Sequence, residues 1–207
     1  IAQFGIGYAP KGWQGLLDHL KAKGFTLEEA ITAGLAMASD KGGYDRFRGR
    51  VLWPIRDSNS QVLGFGARKL YEDDQGPKYL NTPETPIYHK GSVLYGLDLA
   101  RKEIIKRKEI IVVEGYTDVM AAHLSGVTTA VATCGTSFGV EHIKLIRRIM
   151  GDDSGLGEVI FTFDPDAAGQ KAAMRAFAEE QRFAAQTYVA VAPEGLDPCD
   201  LRLARGE

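Results

Sequence analysis

Hydrophobic spacing along this chain changes period twice, and each change predicts a different kind of element. Leu16, Leu17 and Leu20 recur at helical spacing between Trp13 and Lys23, and the pattern stops at Gly24. Thr26 followed by Glu29 has the form of a capping box and predicts a second helix ending near Gly34. From Gly49 the pattern becomes alternating. Arg50 to Arg56 reads as a strand, Asp57 to Ser60 as a turn, and Gln61 to Arg68 as the returning strand. Gly64 and Gly66 inside that strand predict a close backbone approach or a bulge. Tyr71 to Ser92 reads as loop-rich, and Leu97 to Lys108 as a helix with a basic end.

Beyond Glu109 strands and helices alternate regularly. Strands are expected at 110–114, 129–132, 158–164 and 187–192, with helices at 116–124, 140–150 and 167–183. That alternation implies right-handed crossovers and a parallel sheet, with ligands beyond the carboxyl ends of the strands. The fold class is therefore α/β. Residues 1–109 are expected to form an α+β subdomain, and residues 110–207 a Rossmann-like parallel sheet flanked by helices.

Composition narrows the function. With 207 residues, 44% of them hydrophobic and 25% charged, the chain suits one large or two small globular domains. No stretch approaches the roughly eighteen apolar residues of a membrane span. The sequence starts at Ile1 rather than Met and shows no signal peptide, so it is expected to be a piece of a longer, cytoplasmic protein. Cys134 and Cys199 are the only cysteines, and the four histidines are scattered, which predicts neither a disulfide framework nor a zinc site in this segment. Charge is uneven. Residues 44–109 hold 13 basic against 9 acidic side chains, whereas residues 110–207 hold 8 against 14. A basic middle beside an acidic third suits a protein that holds phosphates with one part and metals with the other.

The acids are placed accordingly. Glu114 follows four apolar residues, Gly115 is next, and Asp118 falls in the first turn of the following helix. The apolar run Val159 to Phe163 leads into Asp164-Pro165-Asp166. Asp197 and Asp200 follow the last strand, where an Asp-Pro turn is the simpler account. Acids at several strand ends on one rim repel one another unless cations neutralise them, and carboxylate oxygens suit a hard ion such as Mg²⁺.

These residues carry a resemblance. Val112-Val113-Glu114-Gly115-Tyr116-Thr117-Asp118 followed by Phe163-Asp164-Pro165-Asp166-Ala167-Ala168-Gly169 resembles the Toprim signature of a glutamate and then Asp-x-Asp. Upstream, Arg46-Phe47-Arg48-Gly49-Arg50-Val51, Gly64-Phe65-Gly66-Ala67-Arg68, Lys78-Tyr79-Leu80-Asn81-Thr82-Pro83-Glu84-Thr85 and His89-Lys90-Gly91 resemble the catalytic core of bacterial DnaG-type DNA primases. The resemblance spans nearly the whole chain. It implies a DNA-dependent RNA polymerase that makes short RNA primers from ribonucleoside triphosphates on single-stranded DNA, with two or more Mg²⁺ or Mn²⁺ ions. It implies that Glu114, Asp118, Asp164, Asp166 and Asp197 form the metal site, with Glu114, Asp164 and Asp166 catalytic. By the same likeness Arg46, Arg48, Arg68, Lys78, Asn81 and Lys90 line a groove for nucleic acid and nucleotide. Flanking domains of the family implicate the replicative helicase and single-strand-binding protein as partners; no membrane is involved. One position departs from the pattern. The family's last motif commonly reads Asp-Pro-Asp, and here Cys199 stands where an acid is expected; either the next acid, Asp200, joins the metal ligands from a shifted position or one metal has fewer protein ligands.

Arg46, Arg48 and Arg50 occupy alternating positions and can share one side of an extended segment. Phe47, Trp53, Phe65 and Tyr79 are interleaved with the basic residues and can stack on bases, although Trp53 and Phe65 suit a core better. A phosphoaspartate phosphatase also uses Asp-x-Asp after an apolar strand, but at its first strand. A binding module with a vestigial metal site is the non-catalytic rival.

Overall fold

The computed structural model describes residues 2–40, 42–151, 157–162, 169, 171, 174, 185–191 and 196–206. The expected helix at 167–183, the end of the strand before it, Asp164 and Asp166 lie outside the described residues, apart from isolated positions of that helix. The architecture is mixed α/β, in two compact units: Ile1–Ile55 with Val62–His89, and Arg56–Gln61 with Lys90–Glu207.

In the first unit, helix α1 (Gly15–Ala22) and helix α2 (Leu27–Thr32) are the expected pair. Thr26 and Glu29 close the capping box, with Glu29 N–H donating to Thr26 Oγ1 at 3.2 Å and Thr26 N–H to Glu29 Oε2 at 2.7 Å. The Thr26 N–H and the Thr26 hydroxyl, which donates to the same Glu29 Oε2 at 2.8 Å, hold the Glu29 carboxyl below its usual range. Leu17, Ala30 and Ala36 form the small core beneath the helices. The strands are β1 (Gly7–Ala9), β2 (Ala36–Ser39), β3 (Gly42–Asp45), β4 (Arg50–Arg56), β5 (Val62–Lys69) and β6 (Tyr79–Asn81). One sheet has the order β1-β4-β5-β6, and β2 pairs antiparallel with β3. Strands β1, β2, β3 and β6 are too short to show a period in sequence. The close approach expected at Gly64 is present, since a Cβ there would lie 2.9 Å from Thr82 Cβ. Thr82 in turn accepts the Phe65 N–H on Oγ1 at 2.8 Å, which fixes the register next to Asn81.

The second unit begins earlier than the change of period near 109. Strand β7 (Leu94–Tyr95) and helix α3 (Leu97–Arg107) pack into its core, where Leu94, Leu97, Ala100 and Ile104 join Ile110, Val112, Val131, Ile143, Ile146, Met150, Val159 and Phe161. Burial of each side chain the size of valine or larger contributes about 1.5–3 kcal/mol, so the core claims the helix that sequence alone left with the other half. Strands β8 (Glu109–Val113), β9 (Ala130–Thr133), β10 (Glu158–Thr162) and β11 (Gln186–Ala190) are mutually parallel, in the sheet order β11-β10-β8-β9-β7. The sheet is mixed rather than all-parallel, because β7 joins its edge antiparallel to β9. Among the described residues the unit also holds helices α4 (Tyr116–Leu124), α5 (Val140–Met150) and α6 (Pro198–Arg205). Gly96, at φ 81°, starts α3 where a Cβ would meet Val119 Cγ1 at 2.8 Å.

Candidate functional site

In the first unit Arg46 and Arg48 line a cleft of about 620 Å³ together with Lys11, Trp13, Arg50 and Tyr71, whereas Arg68, Lys78 and Asn81 are not among its lining residues. Asp45 builds the wall. Buried at the end of β3, it accepts the Leu16 and Leu17 N–H groups at 2.8 and 2.9 Å, pinning the start of α1 to the segment that carries Arg46 and Arg48. The arginines then divide by partner. Arg50 is tied into the wall, with its side chain 4% exposed, Nη2 2.5 Å from Asp74 Oδ2 and Nη1 donating to the Pro77 carbonyl at 2.8 Å. Lys11 pairs with Asp73 at 3.0 Å, and that ammonium holds the Asp73 carboxyl below its usual range.

Arg46 and Arg48 have no carboxylate partner among the described residues. Arg46 Nη2 donates to the Asn81 carbonyl at 2.9 Å and Nη1 to Met37 Sδ at 3.2 Å, while Nε is buried with no partner among the described residues. Burial lowers the basicity of the Arg46 guanidinium, with Tyr44 opposing. Arg48 donates to the Asp45 carbonyl and lies over the Trp13 ring at 4.1 Å and the Tyr44 ring at 5.0 Å. Arg68 and exposed Lys78 each lie 5.8 Å from the Tyr79 ring on the β5–β6 pair, again without a carboxylate partner among the described residues. Lys90 belongs to the second unit.

Trp53 and Phe65 serve the core as expected, whereas the stacking expected of Phe47 needs correction. Phe47 is 5% exposed and Trp53 4%, so neither can stack on a base; Phe47 packs edge-on to Phe65 in a small core with Ala9 and Ala67. Tyr79 remains exposed. The stacking surface that sequence reasoning missed is Trp13, 60% exposed beside Arg48. Its signal was present: a tryptophan after Gly12, before the first buried leucine, precedes helix α1 instead of opening it.

In the second unit Glu114 follows directly on β8 and is half buried, while Asp118 is buried in the first turn of α4, where Oδ2 accepts the Gly115 N–H at 3.0 Å. Asp197 is the N-cap of α6. Its Oδ1 accepts the Asp200 N–H at 2.6 Å, and Pro198 occupies the first helical position. The Asp-Pro pair therefore opens a helix that the turn reading concealed, and α6 packs against α4. Asp200 is exposed and Cys199 half buried. Among the described residues no group of three or more possible metal ligands comes together. The donor chemistry of Glu114, Asp118 and Asp197 nonetheless fits Mg²⁺ or Mn²⁺, being all carboxylate oxygen, and the Cys199 thiol does not.

Comparison with known proteins gives the family. The family profile described as DNA primase catalytic core, N-terminal domain, matches residues 1–101, and the Toprim domain profile matches residues 108–191. A solved structure of the RNA polymerase domain of Mycobacterium tuberculosis primase DnaG is 56% identical. It covers 99% of this chain and 67% of that one, with a TM-score of 0.93. The chain belongs to the DnaG-type DNA primase family. The same Mycobacterium tuberculosis domain solved with a double-stranded DNA oligomer bearing a 6-nucleotide overhang matches at a TM-score of 0.91, covering 99% of this chain and 64% of that one. The DNA primase of Streptomyces coelicolor is 62% identical over 204 residues, 99% of this chain and 32% of that protein. The chain thus spans about a third of the length of the curated primases it matches. No helix among the described residues is long and apolar enough to cross a membrane.

Proposed function

We propose that this chain is the catalytic core of a DNA-dependent RNA polymerase that synthesises short RNA primers on single-stranded DNA, acting in the cytoplasm at the replication fork. The observation that carries the proposal is the match along 99% of the chain to a primase RNA polymerase domain at 56% identity. The first unit, Ile1–Ile55 with Val62–His89, acts chiefly on template and nucleotide, and the second, whose longer segment starts at Lys90 rather than after residue 109, holds the metal. Arg46 and Arg48, with Arg68, Lys78, Asn81 and Lys90, bind phosphates of template, primer or incoming nucleoside triphosphate. Guanidinium groups without carboxylate partners are free to form charge-assisted bonds to phosphate. Trp13 offers a face on which a base can stack, its other face engaged by Arg48.

Glu114, Asp164 and Asp166 would hold the divalent ions, with Asp118 and Asp197 supporting and Asp200 in reserve beside Cys199. When bound, the ions supply charge stabilisation for the attacking and leaving oxygens of nucleotidyl transfer. Glu114 is also the candidate acceptor of the proton from the attacking 3′-hydroxyl. The replicative helicase and single-strand-binding protein are partners through regions outside this chain.

Labelled ribonucleotides, single-stranded template and Mg²⁺ or Mn²⁺ test the proposal. Primer-length products are expected from the wild type and none from Asp164→Ala, with DNA binding retained. Binding without synthesis by the full-length wild-type protein would instead favour a non-catalytic module, and near-normal yield from Asp164→Ala would remove that residue from the site.

A further inference from the structure

The turn that carries Lys90 is held by a histidine that none of the roles above employs. Residues Lys90–Ser92 form a short 3₁₀ turn packed against α5. His142, in the first turn of α5, is 1% exposed. Its Nδ1 lies 3.1 Å from the Gly139 N–H, which can only donate, so that nitrogen carries no proton. Its Nε2 lies 3.2 Å from the Lys90 carbonyl, which can only accept, so that nitrogen carries the proton. The hydrogen-bond network thus assigns a neutral ring in one tautomer with both nitrogens engaged.

Packing removes the ring's remaining freedom. His142 stacks on Phe138 with centroids 5.4 Å apart and planes at 23°, and Phe138 meets Phe161 edge-on at 5.0 Å and 80°. Phe161 lies on β10, the strand that leads in sequence to Asp164. A continuous series of contacts therefore joins the Lys90 turn to β10. Desolvation pushes the His142 pKa down, against the opposing pull of the Lys90 and Val93 backbone groups and the Glu141 carboxylate. Its geometry suits a permanent spacer rather than a proton carrier.

We propose that His142 is a positioning residue for polymerisation: its Nε2–H fixes the Lys90 carbonyl, and with it the place the Lys90 ammonium reaches. This rests on the proposed role of Lys90 in binding phosphate. A histidine that serves only the core would change stability and nothing else.

Glutamine and asparagine separate the two ring nitrogens, because the glutamine amide reaches about as far as Nε2 and the asparagine amide about as far as Nδ1. His142→Gln, His142→Asn, Lys90→Ala and the His142→Asn/Lys90→Ala pair are compared with wild type in the natural full-length protein. Primer synthesis is followed over template and nucleotide concentration, with thermal unfolding in parallel. Lys90→Ala is expected to raise one of the two KM values. His142→Asn should raise that same KM about tenfold, as misplacement of a binding group does, and His142→Gln should leave it near wild type. In the Lys90→Ala background His142→Asn should add nothing. Equal KM changes in the two histidine variants, or a full His142→Asn penalty on top of Lys90→Ala, would overturn the positioning role while leaving Lys90 in place. An unchanged Lys90→Ala enzyme would remove Lys90 from the groove, and the positioning role with it. If His142→Asn does not fold, His142→Gln alone decides: a tenfold rise in its KM despite the retained donor overturns the proposal.

Discussion

Replacing Asp74 by alanine should destabilise the first unit more than replacing an exposed acid of the same cleft. Asp74 Oδ2 holds Arg50 Nη2 at 2.5 Å, and its Oδ1 accepts the Gly76 N–H at 2.7 Å. The loop is wrapped so tightly that a Cβ on Gly76 would stand 2.7 Å from Arg50 Nη2. Breaking a buried ion pair by removing one partner costs about 3–5 kcal/mol, because it strands the other charge. Losing the acceptor of one backbone N–H adds about 1 kcal/mol. Against this, the Asp74 side chain is 23% exposed and Arg50 keeps the Pro77 carbonyl, so water can reach the gap on one side. The expected loss is therefore about 2–4 kcal/mol, from the lower part of the buried-pair range. Asp73, 74% exposed in its pair with Lys11, should cost within about 1 kcal/mol when replaced. Urea unfolding of Asp74→Ala and Asp73→Ala, read at the midpoint with the slope checked for constancy, measures the difference. Equal effects of the two changes, or a loss below about 0.5 kcal/mol for Asp74→Ala, would refute the structural role of the Arg50 pair.

Arg48→Ala should weaken single-stranded DNA binding and lower the slope of log affinity against log salt by about 0.7, the increment for one phosphate contact; an unchanged slope would remove Arg48 from the interface. Trp13→Ala should cost about 1–3 kcal/mol of binding at every salt concentration, as loss of base stacking does, measured by fluorescence anisotropy. Stability should fall as the pH drops below the ordinary histidine range near about 6.5. The unfolded chain takes up a proton there while buried His142, its pKa pushed down, stays neutral, so the stabilisation is complete above that range and lost as pH falls toward the folded value. Asp98, whose carboxyl burial pushes up, acts with the opposite sign, so the histidine effect is the part of the slope that His142→Gln abolishes.

The sequence was most legible where period and length were sufficient. Helices at 116–124 and 140–150 and the strand pair 50–56 and 62–69 agree with the pattern to within a residue or two. Two- to four-residue strands such as Leu94–Tyr95 carry no period and are set by the partner, here β9. Division of the chain was hidden because the α3 helix is charged on one face, and only its packing of Leu97, Ala100 and Ile104 shows which core it serves. Among the basic residues, sequence marked the cluster but not its division, since Arg46, Arg48 and Arg50 look alike until Asp74 is seen to occupy one of them. Trp13 escaped notice because stacking surfaces are recognised by exposure, which helical spacing of nearby leucines does not report.

Primer synthesis by Glu114→Gln, compared with wild type at matched occupancy of single-stranded DNA, tests the central claim most directly. The substitution keeps the size of the side chain that follows β8, removes its charge and exchanges one acceptor oxygen for an amide donor. Loss of at least about a hundredfold in product, with DNA affinity and its salt dependence unchanged, is the expected result. Wild-type yield from Glu114→Gln would contradict the assignment of this strand end as half of a polymerase centre.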